Sequence, residues 1–419
     1  MSRYKMLVSA ALLAVAGIFP ATAVERYDSY KGLIMAGYQG WFNAPGDGAG
    51  RGWHHYAGRR SFAPGDCTID FWPDTREYEK TYPSPFEYED GTVADLFSSY
   101  DPSTVATHFR WMREYGLDGV FMQRFVAEIR NESGMNHFTR VLDSAMKAAA
   151  DNERAIAVMY DLSGMQPGEE QVLLDDLKAL SERYGLLDRD RNPSYLWHNG
   201  RPLVSVWGLG FNDRRAYGFD EIEKIIDGVK EMGFSIMAGV PTNWRELTDD
   251  TLPDTRLHDI IRKCDIVMPW FVGRYNEDTY KSRGYDTLMQ KDIAWAAENG
   301  VDYSPLAFPG FSWCNMFPAD RRDRAVSIPR NRGEFLWKQL YTEISSGAEM
   351  IYVAMFDEID EGTAIFKCAK KVPAAHIGSQ FVPIEDGIEG DHYLWLIGQA
   401  GKMLRGETPL SESQPQRNF

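Results

Sequence analysis

Residues 350–363 read Met350-Ile-Tyr-Val-Ala-Met-Phe-Asp357-Glu358-Ile-Asp360-Glu361-Gly362-Thr363. The first seven are apolar or aromatic, the pattern of a strand with both faces covered, as in a parallel sheet or a barrel. Four carboxylates then fall within five residues, Asp357 to Glu361. Crowded past the C-terminal end of a buried strand, they gain nothing from packing and repel one another. Like charges held that close raise one another's proton affinity, so one carboxyl stays protonated while its neighbour ionises. Acid–base chemistry needs that division of labour. A solvated acidic loop or a calcium site is the other reading of such a cluster. The strand end and the aromatic-rich chain favour chemistry.

Outward from this strand, apolar runs alternate with amphipathic helical ones through nearly the whole chain. The pattern predicts strands at Gly32–Phe42, Gly119–Phe125, Ala155–Asp161, Leu203–Trp207, Ser235–Val240, Ile266–Val272, Tyr303–Phe308 and Met350–Phe356. It predicts helices at Ser103–Tyr115, Asn136–Ala150, Glu169–Tyr184, Phe219–Met232, Thr279–Asn299 and Arg332–Ser346, with a last one from Asp391 to Leu404. Ser103 is the expected cap of the first helix and Gly116 its stop. Eight strands each followed by a helix is the pattern of an α/β fold, a single (β/α)8 TIM barrel. An open doubly wound sheet would carry a Gly-rich phosphate turn after its first strand, and no such turn is present.

Long loops follow the first strand (43–100) and the eighth (362–390), so both lie on the C-terminal face, where barrel enzymes keep their sites. The first carries Trp53-His54-His55-Tyr56 and Asp70-Phe-Trp72-Pro-Asp74. One domain is expected over 24–408, followed by a polar tail, 409–419.

Residues 1–23 read as an export signal. Arg3 and Lys5 give the positive start, Met6 to Phe19 the apolar core, and Ala21-Thr22-Ala23 a small-residue cleavage site. The apolar core is too short for a stable membrane span. A secreted or periplasmic protein without a membrane anchor is expected. Losing Arg3 and Lys5 moves the formal charge from −16 to −18, which argues against nucleic acid as a partner. Cys67, Cys264, Cys314 and Cys368 lack zinc-type spacing, so no metal and no other cofactor is expected. Cys264 precedes a strand while Cys314 and Cys368 follow strands, so a bridge, where one exists, would join two of Cys67, Cys314 and Cys368.

The groups at the strand ends form a candidate site. They are Tyr38, Gln39 and Trp41 after the first strand, Gln123 and Arg124 after the second, and Tyr160 and Asp161 after the third. Trp207 follows the fourth, Asn243 and Trp244 the fifth, Trp270 the sixth and Trp313 the seventh; Asp357, Glu358, Asp360 and Glu361 follow the eighth. Flat aromatics mixed with amides and charges suit a sugar, which offers apolar faces and a rim of hydroxyls. For each aromatic, barrel core is the competing role. Gln123 and Arg124 are adjacent and point to opposite faces, so at least one faces inward. His54 and His55 suit a metal or a sugar, with structural hydrogen bonding the better reading, and His108 reads as a packing histidine. Asp66, Asp70 and Asp74, spaced by four, are a weak calcium pattern.

At these residues the chain resembles the glycoside hydrolase family 71/99-like group. The resemblance runs from Gly37-Tyr-Gln-Gly-Trp-Phe42 through Phe109-Arg-Trp-Met112 and Gly119-Val-Phe-Met-Gln-Arg-Phe125 to Phe356-Asp-Glu-Ile-Asp-Glu-Gly-Thr363. The last motif is similar to the catalytic segment of family 99 endo-α-mannosidases and mannanases, in which two glutamates three apart precede Gly-Thr. The resemblance implies a (β/α)8 barrel, endo action on α-mannosides and retention of configuration. It also implies an unusual route: Glu358 would deprotonate the sugar's 2-hydroxyl, which attacks the anomeric carbon to give a 1,2-anhydro sugar. Glu361 would protonate the leaving oxygen and then activate water. Where the family has Asn and His before its two glutamates, this chain has Asp357 and Asp360. Those two extra charges should raise the proton affinity of both glutamates, or else meet a cation or an Arg, or mark a different sugar.

The expectation is therefore a secreted hydrolase of α-linked poly- or oligosaccharide, mannan-like by preference. A carbohydrate-binding barrel without catalysis, or a metal-dependent hydrolase using Asp357, Asp360 and Asp161, are the alternatives.

Overall fold

A computed structural model describes residues 27–58, 61–317, 327–376 and 379–417. The expected export signal lies outside the described residues. Eight strands form the barrel: β1 Ile34–Tyr38, β2 Gly119–Phe125, β3 Ala155–Asp161, β4 Arg201–Trp207, β5 Ser235–Val240, β6 Ile266–Pro269, β7 in two pieces at Asp302–Tyr303 and Leu306–Ala307, and β8 Ile351–Val353. All neighbours pair in parallel, and β8 returns to β1 with Ile351 opposite Ile34. The broken strand β7 closes the ring. Tyr303 pairs with Val267 of β6, and Leu306 pairs with Tyr352 of β8. Pro305, which has no N–H to give, sits at the change of partner and accepts from Tyr352 N at 2.9 Å.

Helices follow the strands at Pro102–Tyr115, Glu132–Asn152, Glu170–Tyr184, Phe219–Glu231, Arg256–Lys263, Tyr285–Glu298, Glu334–Ser345 and His392–Leu404. The Arg256–Lys263 helix was not predicted; its 8 residues are too few for a periodic stripe to stand out. Asp101 takes the cap position of the first helix with Pro102 just inside, so Ser103 lies within it rather than capping it. Gly116 ends that helix at φ 83°. The loop 43–100 contains an antiparallel hairpin, Tyr82–Glu87 with Val93–Leu96. Pro83 and Pro85 hide this strand in the sequence, although Tyr82, Ser84 and Phe86 alternate inward as a strand requires. Residues of the polar tail lie back on the barrel, with Trp337 Nε1 donating to Ser411 O at 3.2 Å.

The two-residue period of a strand sorts side chains into two cores. Met35, Phe121, Met159, Met237, Met268 and Tyr352 fill the barrel interior. Val120, Val158, Val206, Ile236 and Val353 face the helices. Tyr38, Arg124 and Tyr160 belong to the outward series, and this decides their roles.

Candidate functional site

The acidic loop after β8 is held at both ends. Phe356 N donates to Gly37 O of β1 at 2.7 Å, and Thr363 N donates to Glu358 O at 3.1 Å. Ser312 N donates to Glu361 O at 2.8 Å. The buried Arg330 guanidinium lies between the Phe71 and Tyr393 rings and donates through Nη2 to Gly362 O and Ala364 O at 2.8 and 2.7 Å. Gly362 has φ 67°, and a Cβ there would lie 2.8 Å from Ser312 N, so a side chain is excluded. Gly37 gives way to Tyr352, whose hydroxyl would stand 2.1 Å from a Cβ at that position.

On this frame the four acids take different places. Asp357 is fully buried and accepts from the backbone N–H groups of Gln39 and Gly40 at 2.7 and 2.9 Å, one on each oxygen. It ties β8 to β1. Glu358 accepts from Gln39 Nε2 and Thr363 Oγ1, both at 2.5 Å. Asp360 pairs through Oδ2 with His55 Nδ1 at 3.2 Å. Glu361 is the more open of the two glutamates, and Trp313 lies beside it.

Burial and mutual repulsion push these acids up. Asp357 rises to about 7, chiefly through burial, with the amides of Gly40 and Gln39 opposing. Asp360 rises to about 8 through burial. Glu361 rises to about 8 through burial and then the Asp360 charge, while the Trp313 indole N–H works the other way. Glu358 is pushed well above the usual carboxylate range, through burial and then the Glu361 and Asp360 charges; the Thr363 and Gln39 donors oppose it. At neutral pH the cluster therefore keeps protons that free carboxyls would have lost.

This fixes a pH dependence. An acid raised in the folded state binds more protons folded than unfolded, so stability falls as pH rises from the unfolded range near 4 to the folded value. The melting temperature should fall between about pH 5 and pH 8, and Asp360→Asn should flatten that slope. Thermal melts across this range check it; a slope identical in the variant would remove Asp360 from the account.

Around the acids stands a rim of the predicted residues. Trp41 stacks flat on His55, ring centroids 3.8 Å apart, and touches Phe125. Trp207 and Trp270 meet edge to face at 5.2 Å, and the Arg215 guanidinium lies over Trp207. Asp161 accepts from Ser163 N at 2.6 Å and is raised by burial; its charge is felt by Glu361. Gln123 points inward and donates to the Tyr352 hydroxyl at 3.2 Å. Asn243 is bound to Asp250, which shapes the turn after β5. Several buried polar atoms of the rim find no partner among the described residues: Nε1 of Trp41 and Trp207, Oε1 of Gln39 and Gln123, and Oδ1 of Asp360. Each such orphan costs ~1–3 kcal/mol if left unmet, and a polar ligand offering both donors and acceptors would meet them.

Four expected site residues are corrected. Tyr38 is buried on the outer face, its hydroxyl 2.8 Å from His108 Nδ1 and its ring stacked on Phe356. Arg124 and Tyr160 both reach outward to Asp176 of the Glu170–Tyr184 helix: Arg124 Nε and the Tyr160 hydroxyl donate to Oδ2 at 2.6 and 2.7 Å. Trp244 is fully buried against Trp295. All four pack between sheet and helices. The calcium pattern dissolves as well: Asp70 accepts from Ser312 Oγ, Cys314 N and Asn315 N, Asp66 from Ser61, and Asp74 from Arg76.

Sequence reading missed four contributors. His55 carried a signal, since it was singled out for a metal, a sugar or a structural bond; its partner Asp360 comes from the other end of the chain. Thr363, Tyr352 and Arg330 carried no separable signal, because their partners are fixed only when the barrel closes. His108 is the packing histidine expected, held between the Tyr38 and Tyr78 hydroxyls.

No protein-family model matches the chain, and no curated protein does. Among solved structures it is similar to two of the glycoside hydrolase family 99 endo-α-mannosidase from Bacteroides thetaiotaomicron. One, in complex with bis-tris propane, has 17% identity and a TM-score of 0.60, covering 89% of this chain and 97% of that one. The other has 16% identity and a TM-score of 0.62, covering 90% and 98%. At such identity the likeness is one of fold, and it spans nearly the whole of both chains.

Proposed function

We propose that the chain is a glycoside hydrolase of α-linked poly- or oligosaccharides, mannan-like by preference and endo-acting, exported from the cell. The observation that carries this reading is the pair Glu358 and Glu361, on one tethered loop inside a rim of indoles and orphan polar atoms. Burial pushes Glu358 well up, and the two hydrogen bonds that its oxygens accept oppose that push and favour the carboxylate it must become to take a proton. Glu361 lacks such a pair of donors and rises to about 8 through burial and the Asp360 charge, which suits a group that must arrive protonated. Glu361 then protonates the leaving oxygen and afterwards draws a proton from water. Glu358 takes the proton of the substrate's 2-hydroxyl as that oxygen closes on the anomeric carbon, giving a 1,2-anhydro sugar; water then opens that ring at the anomeric carbon while Glu358 returns the proton to the 2-oxygen, for net retention. Two carboxylates on one short loop suit this route better than ordinary retention, which needs them on opposite sides of the bond. The likeness in fold to a family 99 endo-α-mannosidase supports the glycosidase reading.

The purified protein should release sugars from an α-glycan panel with its anomeric configuration kept. Mass spectrometry of protein trapped with a slow substrate should find no attached sugar, and a 2-deoxy substrate should bind without turning over. A glycosyl ester on Glu358, or normal turnover of the 2-deoxy sugar, would overturn the route. Silence across α-mannans and α-glucans, with binding retained, would favour the carbohydrate-binding barrel.

A further inference from the structure

Resting on the glycosidase reading, we infer that His55 is a substrate-binding residue: Asp360 fixes which ring nitrogen carries the hydrogen, and Nε2 offers that hydrogen to a sugar oxygen at the barrel mouth. His55 is held in three ways. Its ring lies flat on Trp41, centroids 3.8 Å apart and planes 4° from parallel. Its Nδ1 stands 3.2 Å from Asp360 Oδ2. Its backbone takes φ 62°, in the left-handed region that favours glycine, and its carbonyl accepts from Thr68 Oγ1 at 2.5 Å. A residue fixed this firmly in an uncommon conformation is found where a side chain must be aimed. The Asp360 side chain is 4% exposed and that of His55 29%, so the pair is sealed at the acid and open at the ring. Nε2 has no hydrogen-bond partner among the described residues, and it is not closed off as the Trp41 indole nitrogen is. Trp41 itself is covered by His55 and Phe125, so a sugar at this part of the rim meets the imidazole rather than the indole.

One hydrogen serves the bond between Nδ1 and Oδ2. Burial raises Asp360 to about 8 and lowers His55 to about 3, so at neutral pH the acid is protonated and the imidazole uncharged. The carboxyl then donates to Nδ1, and the ring's one N–H is left on Nε2. A sugar carries lone pairs on every oxygen, so it can accept from that donor. Once Asp360 ionises, the hydrogen belongs on Nδ1 and Nε2 becomes an acceptor. Asp357, Glu358 and Glu361 on the acidic loop face this pair and feel the Asp360 charge, as does Tyr56 of the first loop. Around His55 stand His54, Arg51 and Glu128. Arg51 and Glu128 pair with each other, and their pulls on His55 oppose.

Three substitutions at this position read the two nitrogens apart. Gln puts an amide nitrogen near the place of Nε2, Asn near that of Nδ1, and Phe keeps the stack on Trp41 with neither. On the α-mannan or α-glucan that the native protein cleaves best, His55→Phe and His55→Asn should raise KM by ~3–10-fold, the loss of one neutral hydrogen bond, with a smaller change in kcat. His55→Gln should stay nearer the native KM. Nitrogen NMR of histidine-labelled protein, assigned through His55→Gln, should find the hydrogen on Nε2 at neutral pH and its transfer to Nδ1 as pH passes about 8. In Asp360→Asn that transfer should vanish. Any order in which Gln fares no better than Asn would make His55 a prop for Asp360 and overturn the inference, as would a hydrogen on Nδ1 at neutral pH. Native protein that neither cleaves nor binds any glycan of the panel takes down the glycosidase reading and this inference with it. Native cleavage with an unaltered KM in the Phe variant takes down this inference alone.

Discussion

Replacing Glu361 with Gln lowers turnover of an α-linked oligosaccharide by ~10²–10⁴-fold, the range for a lost general acid/base. The amide keeps the volume and planarity of the carboxyl but neither delivers a proton to the leaving oxygen nor takes one from water. The loss should track the leaving group. An aryl glycoside with an acidic phenol needs little protonation, so its first step should suffer least, while a sugar leaving group should show the full loss. Folding should be preserved, since Glu361 is partly open and its backbone carbonyl, not its side chain, holds Ser312. Removing one of several mutually repelling acids should also lower the proton affinity of Glu358, which feels Glu361 as its largest neighbouring charge. Rates on good and poor leaving groups, with a thermal melt of the variant, check all of this. A variant with near-normal rates on a poor leaving group would remove Glu361 from the acid/base role.

The sequence made the barrel legible because its two periods are clean. The spans Gly119–Phe125, Ala155–Asp161 and Ser235–Val240 match the observed strands residue for residue, since each is an apolar run buried on both faces. The acidic loop was legible for a similar reason: acids gathered at the end of an apolar run have no packing explanation. What the sequence withheld is direction. Knowing that Gln123 and Arg124 face opposite ways does not say which faces inward; the barrel interior is defined by Phe121 and Met159, and only then does Gln123 join them and Arg124 face away. Trp244 and Trp270 looked equivalent for the same reason. One is sealed beside Trp295 and the other meets Trp207 in the barrel mouth. Long-range pairs such as His55 with Asp360 have no local signal at all.

Arg124 should accordingly reveal itself as a residue of stability. Arg124→Ala is expected to cost ~3–5 kcal/mol, the range for breaking a buried ion pair from one side. Arg124 and Asp176 are 1% and 3% exposed at their side chains and face each other fork to fork. The Tyr160 hydroxyl adds a third bond to the same carboxylate. Without the guanidinium, Asp176 would keep Tyr160 alone and would have to take up a proton or carry an uncompensated charge in an apolar layer. The double change Arg124→Met with Asp176→Leu removes both charges and fills most of the volume, so it should recover much of the loss. Denaturant unfolding of the single and double variants measures both steps. Substrate affinity of the folded fraction separates this from a site role, because Arg124 points away from the barrel mouth and its loss should leave KM nearly unchanged. A single variant of normal stability with weakened substrate binding would return Arg124 to the site that the sequence first assigned it.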